Sequence, residues 1–195
     1  MDYNSAKSYI IGRLEKELSK TLYYHCIIHT LDVADAAERY AKMENLNDED
    51  LLLLKTAALF HDCGFLVRYI DNEEVSVQIV KKILPGFGYS PLQIEVITKI
   101  IYATKCNQKP ENILEKIICD SDLDYLGRDD FFMNGIRLKR EKNEHGIPTS
   151  LKEWYIQEYH FLLNHKYYTK SAIELRQKKK MMHLDEIKEL LQGKV

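Results

Sequence analysis

The sequence predicts an all-α protein, and three observations carry that expectation. Apolar residues recur at three- and four-residue spacing almost throughout the 195 residues. No run alternates apolar and polar positions as a half-buried strand would, and helix-starting residues stand directly ahead of the apolar stretches. The length supports one sizeable core. There is no internal repeat, low-complexity tract or long linker, so residues 1–127 are expected to form the core and residues 128–195 a helical C-terminal extension packed on it.

Tyr9, Ile10, Arg13, Leu14, Glu17 and Leu18 fit an amphipathic first helix beginning near Ser5. A second is expected from about Tyr24 to Met43. Asn47, three residues ahead of Asp50, is placed to cap a third, whose apolar run from Leu51 to Phe60 ends at His61-Asp62. Glu73 to Leu84 reads as a fourth, closed by Pro85-Gly86. Ser90-Pro91-Leu92-Gln93 has the cap, the first-turn proline and the glutamine of a capping box, so a fifth helix bearing Ile94, Ile97, Ile100 and Ile101 follows. Pro110 is expected to open a sixth, ending between Cys119 and Asp124. Beyond Gly127 the pattern loosens: Arg137 to His145 is charged and reads as solvated, and His145-Gly146-Ile147-Pro148 breaks any helix. Ser150-Leu151-Lys152-Glu153 is a second capping box, opening a helix to about His165. The last helix runs from about Lys170 to Gln192, with apolar positions at Ile173, Leu184, Ile187, Leu190 and Leu191 and a solvated face from Gln177 to Lys180.

Lys and Arg total 28 against 30 Asp and Glu, a formal net charge of -2. Charge this balanced creates no strong pull toward nucleic acid or an anionic membrane. The first five residues do not read as a signal peptide, and no apolar run approaches the ~20 residues a bilayer requires. Cys26, Cys63, Cys106 and Cys119 have no CxxC spacing and read as buried free thiols, so the expected compartment is the cytoplasm.

The chemistry concentrates in three places. His61-Asp62 terminates an apolar helix, and desolvating a carboxylate there is costly unless a cation or hydrogen bonds offset it. Upstream, His25, His29 and Asp32 would share one stripe of the second helix, within about 60° of one another. Downstream, Asp120, Asp122 and Asp124 put three carboxylates into five residues. Alone, that segment reads as a solvated turn; beside the other two it reads as part of a cation site. Two imidazoles and two carboxylates, His29, His61, Asp62 and Asp122, suit one divalent ion (Mn, Fe, Mg or Zn) with water completing its coordination.

This pattern of a histidine, a distant His-Asp doublet and a later aspartate resembles the HD superfamily of metal-dependent phosphohydrolases, over about Tyr23 to Gly127. The resemblance implies a compact multi-helix HD-type domain and the ligand set His29, His61, Asp62 and Asp122. Asp122 is preferred to Asp120 because Ser121-Asp122-Leu123 matches the family's small-Asp-Leu signature. Tyr24-His25, His29 and Asp32-Val33 are similar to a segment of the superfamily's cyclic-nucleotide phosphodiesterases, which implies that His25 protonates the leaving oxygen. Asp62 would also take a proton from the attacking water. Relatives place a phosphate-binding lysine where Phe65 stands, so Arg68, Lys105 and Arg128 become the candidate phosphate contacts. Asp32 is expected to hold a ring N–H of His29 or His25, with Asp120 as a supporting carboxylate. Accessory histidines of binuclear members are replaced by Glu73 and by the Tyr102-Lys105 stretch, so one metal is expected. The implied substrate is a small phosphorylated molecule, a nucleotide diester or monoester; a metal- or nucleotide-binding module without turnover is the alternative. His160, His165, His183 and the aromatic residues Trp154, Tyr155, Phe161, Tyr167 and Tyr168 read as packing or surface groups.

Overall fold

Nine α-helices and three short 3-10 turns, with no strand, make up the regular structure among the described residues, 1–105 and 109–193 of a computed structural model. Cys106 lies outside the described residues. The helices are α1 (Tyr3–Glu17), α2 (Ile27–Met43), α3 (Asp48–Phe60), α4 (Asn72–Ile83), α5 (Pro91–Ala103), α6 (Ile113–Asp122), α7 (Phe131–Glu144), α8 (Leu151–Asn164) and α9 (Lys170–Leu191).

The starts follow local chemistry. Asn47 Oδ1 accepts the Asp50 N–H at 2.9 Å. Both capping boxes close: Ser90 with Gln93, and Ser150 with Glu153. Four stretches differ from expectation. The second helix begins at Ile27 rather than near Tyr24: the Tyr24 carbonyl accepts the Cys26 N–H at 2.8 Å in a tight turn, and Glu141 Oε2 holds that turn by taking the N–H groups of Tyr24 and His25 at 2.9 and 3.0 Å. The sixth begins at Ile113, where Asn112 Oδ1 accepts the Glu115 N–H at 3.1 Å, not at Pro110. The charged stretch after Arg137 is the second half of α7; Arg137, Arg140, Asn143 and Glu144 face solvent as expected, but Glu141 on it is fully buried.

Helix α9 likewise departs from the expected solvated face. Its buried stripe runs through Ala172, Lys180, Leu184 and Ile187, spaced in threes, fours and one double turn, while Ile173 and Leu190 are exposed. Lys180 is buried with its ammonium donating to the His165 carbonyl at 2.6 Å and lying over the Tyr167 ring.

Two hydrophobic clusters organise these elements. The larger joins α1 to α6 around Ile10, Tyr40, Leu54, Phe60, Ile97 and Ile117, and takes in Tyr167 and Ala172 from the C-terminal part. Each such side chain contributes about 1.5–3 kcal/mol on full burial. The smaller joins Tyr24, Tyr125 and Leu126 to Phe131, Leu162, Leu184 and Ile187. A shared boundary between them is therefore built from the residues flanking the His and Asp motifs. Backbones approach closely at two glycines: a Cβ on Gly64 would stand 1.8 Å from the Asn72 carbonyl oxygen, and one on Gly127 2.5 Å from that of Arg176. Gly64 thereby lets the turn after the His-Asp doublet dock on α4, where Ser76 Oγ accepts its N–H at 2.8 Å.

Candidate metal centre

The apolar face of α3 drives its last turn into the core and carries His61 with it, to complete burial. His61 Nδ1 donates to the Ala58 carbonyl at 2.7 Å, so the proton sits on Nδ1 and the Nε2 lone pair faces the interior. Asp62 leaves the helical path (φ -103, ψ 7) and begins the 3-10 turn Cys63–Leu66. His29 comes from the buried face of α2, and Asp122 is the last residue of α6.

These four side chains converge. His29 Nε2 is 3.4 Å from His61 Nε2, 3.4 Å from Asp62 Oδ2 and 3.1 Å from Asp122 Oδ1. His61 Nε2 is 3.1 Å from Asp62 Oδ2 and 3.6 Å from Asp122 Oδ1. Ligand atoms of His29, His61 and Asp122 all lie within 4.8 Å of one another. Asp62 Oδ2 is sealed from solvent yet has no hydrogen-bond partner among the described residues. An orphaned carboxylate oxygen facing imidazole lone pairs is the environment a divalent cation satisfies, and the N2O2 donor set fits Zn, Fe or Mn. The field has the same sign: burial pushes His29 down, but the Asp122 and Asp62 carboxylates reverse this and raise it to about 8. Burial likewise opposes the charged forms of His61, Asp62 and Asp122, and is again outweighed by their mutual attraction.

His25 stands outside the helix that bears His29, one residue before its cap Cys26. Its ring still meets the His29 ring edge-on at 5.7 Å and stacks on Phe65 at 4.5 Å. Glu141 fixes it, pairing with Nδ1 while accepting the two backbone N–H groups. Sequence reasoning missed Glu141. The signal was periodicity: Phe131, Asn134, Leu138 and Glu141 fall three to four apart, which puts the glutamate at a core position of α7.

The three clustered aspartates do not share one cation. Asp122 enters the centre. Asp120 turns away and accepts the N–H groups of Tyr168 and Thr169 at 2.9 and 2.8 Å and the Thr169 hydroxyl at 2.7 Å, anchoring the α8–α9 connection instead of supporting the ligands. Asp124 is held by Tyr40, Arg39 and Arg176. Asp32 does not bond an imidazole; it pairs with Arg128 at 3.0 Å. Arg128 also pairs with Asp130, and it lines a small recess with His29 and Asp122. Lys105 pairs with Asp71 and Glu74 and lines a cleft of about 370 Å³ that Asp122 also borders. Arg68 is committed to Glu74 and to the Asp71 carbonyl, on a different cleft beside Phe65 and Tyr69. Cys63 is a packed thiol, pushed up to about 12 by burial; Cys26 and Cys119 are free and only partly buried.

Glu141 has a consequence for acid stability. Burial would raise its carboxyl, but the His25 imidazole and the N–H groups of Tyr24 and His25 outweigh burial and hold it below the ordinary 4.5. A depressed carboxyl contributes stability that is complete above the unfolded value and is lost as pH falls through the folded one. Glu141→Gln should cost about 2 kcal/mol at pH 7. In urea unfolding, its deficit relative to the parent should shrink from about pH 5 downward; a deficit independent of pH would contradict this role.

The HD-domain family model matches residues 26–126, just over half of the chain. No curated protein matches it. Among solved structures, Bacillus subtilis YpgQ in complex with ADP is similar at 22% identity and a TM-score of 0.71, over 99% of this chain and 97% of that one. A predicted HD superfamily hydrolase from an uncultured Thermotogales bacterium is similar at 16% identity and a TM-score of 0.65, over 96% and 92% of the two chains. At these identities the two structures establish the shared all-α fold. Among the described residues, no helix is long and apolar enough to cross a membrane.

Proposed function

The chain belongs to the HD-domain family, and from that premise we propose that it is a metal-dependent phosphohydrolase whose substrate is a phosphodiester or phosphomonoester of a nucleotide. The observation that carries this reading is the meeting of His29, His61, Asp62 and Asp122 around the unpartnered Asp62 Oδ2. Those four residues would hold one divalent cation. Bound there, the cation supplies Lewis acidity, acidifying water and withdrawing charge from a phosphoryl oxygen.

The chain's own groups supply the rest. With Oδ2 of Asp62 turned toward the imidazoles, its Oδ1 is the oxygen left to accept a proton from the attacking water. Glu141 holds His25 at Nδ1, so Nε2 is the ring atom that hands a proton to the leaving oxygen. Phe65 stacks on the same ring and prevents it from turning over. Arg128 and Lys105 border the recesses that reach Asp122, and they are the cations placed to meet a phosphate there. Each is already paired with chain carboxylates, so phosphate would compete with Asp32 and Asp130, or with Asp71 and Glu74.

A nucleotide is favoured by the fold shared with YpgQ, whose structure holds ADP, and by the clefts of about 380 and 370 Å³ that adjoin Asp122. Volumes of this order suit a small organic ligand. The test is a metal-reconstituted assay against cyclic mononucleotides, nucleoside monophosphates and an aryl phosphodiester. Turnover of at least one class, lost on chelation and restored by added metal, is expected. Tight binding of metal with no turnover of any class would leave the chain as a binding module.

A further inference from the structure

One buried acid takes no part in the centre described above. Helix α8 turns Trp154, Glu158 and Leu162 inward at every fourth residue, so Glu158 sits mid-stripe among apolar groups and is only 6% exposed. It makes no hydrogen bond among the described residues, and its Oε2 is sealed from solvent without a partner. Facing it, α7 presents Gly135, which has no side chain to offer: a Cβ built there would lie 3.9 Å from Oε2. Burial raises Glu158 to about 7, only partly opposed by the charge of Lys142. A carboxyl left this way is destabilising unless something else donates to it.

The same side chain lines the cleft of about 380 Å³ whose walls include Leu138, Trp154 and Phe161 together with Tyr24, His25 and Asp122. One cleft therefore brings residues of the proposed reaction centre together with aromatic walls and an unpartnered carboxyl. Lys142, over the Trp154 ring at 5.3 Å, places positive charge there, which disfavours a cationic ligand. A planar, neutral group with its own N–H donors fits better. For both oxygens to meet a ligand, Oε2, sealed against α7 in this structure, has to turn into the cleft, a motion the soft terminal torsion of a glutamate permits. Two acceptors side by side match two adjacent donors, and among the common nucleobases only guanine presents such a pair, N1–H beside the exocyclic N2–H.

We propose that this cleft is a base-recognition site for a guanine nucleotide, with Glu158 accepting N1–H and N2–H and Trp154 and Phe161 packing on the base while the phosphate lies at the His-Asp centre. The proposal rests on the nucleotide reading above and narrows it to one base.

The chain has a single tryptophan, Trp154, so its emission reports occupancy of the cleft directly. The probes are methylenephosphonate analogues of guanosine, inosine and adenosine 5′-monophosphate, in which carbon replaces the ester oxygen and binding to the Mn²⁺-loaded protein is read without turnover. The guanosine analogue is expected to quench Trp154 and to bind at least tenfold more tightly than the inosine analogue, which lacks only the N2 amino group. The adenosine analogue, whose N1 lone pair would face the carboxylate, should bind more weakly than the guanosine one. Glu158→Leu, which replaces an unsatisfied acid by an apolar group of similar size, should bring the guanosine-to-inosine ratio within twofold. Equal affinities for the guanosine and inosine analogues, preference for adenosine, an unchanged Trp154 emission on binding, or a ratio that survives Glu158→Leu would each overturn the proposal. Should the base preference appear while no phosphate ester is turned over, the hydrolase reading fails and the base site stands. Should esters be hydrolysed while the analogues bind alike, the base site falls alone.

Discussion

Asp62→Ala is expected to lower kcat by about a thousandfold or more, equivalent to about 4 kcal/mol of lost transition-state stabilisation, on any ester the parent protein hydrolyses. Two losses would combine in this one residue: an oxygen facing His29 and His61 at 3.4 and 3.1 Å disappears from the proposed cation site, and so does the proposed acceptor for the proton of the attacking water. The stability readout separates the fold from the cation. In the metal-free protein the attraction of His61 and His29 for Asp62 outweighs its burial, so the metal-free variant should unfold below the parent's midpoint, and the rise in Tm on adding Mn²⁺ should be largely abolished. A variant that keeps both the metal-dependent rise and its activity would remove Asp62 from the centre.

His25→Ala should act on kcat in a way that depends on the leaving group. General-acid assistance is worth about 10²- to 10⁴-fold where the departing oxygen is a poor leaving group. A nucleoside or alkyl ester should lose activity in that range, whereas a p-nitrophenyl ester, whose phenolate leaves unassisted, should lose less than about tenfold. Equal losses on both would mean that His25 positions substrate or shapes the centre without moving a proton. Because Glu141 pairs with His25 Nδ1 and also takes the N–H groups of Tyr24 and His25, Glu141→Gln should show the same leaving-group dependence in weaker form.

The sequence made some of this visible and hid the rest for physical reasons. The capping residues Asn47, Ser90 and Ser150 act within three residues of themselves, and the helices they start are where local chemistry puts them. The all-α class followed from periodicity, which is equally local, and the HD family from the His61-Asp62 doublet with its flanking motifs. What escaped depends on distant partners. His25 looks helical by spacing, but it lies in the tight turn ahead of the helix, held there by Glu141, 116 residues further on, which takes its N–H. Asp120 and Asp124 look like neighbours of Asp122 in a shared site; one instead anchors the Tyr168-Thr169 backbone and the other is neutralised by Arg39 and Arg176. Lys180 sits in a run of basic residues, yet the phase of α9 turns it inward against the His165 carbonyl. Charge-rich segments were read as solvated, and in α7 and α9 it is the helical phase that decides which charge is buried.

Anomalous diffraction from crystals of the Mn²⁺-soaked protein is the most direct measurement of the central claim. A single strong peak among His29 Nε2, His61 Nε2 and the carboxylates of Asp62 and Asp122, absent from Asp62→Ala crystals grown and soaked alike, is the predicted result. Manganese bound only at other carboxylates, with those four side chains bridged by hydrogen bonds alone, would contradict it.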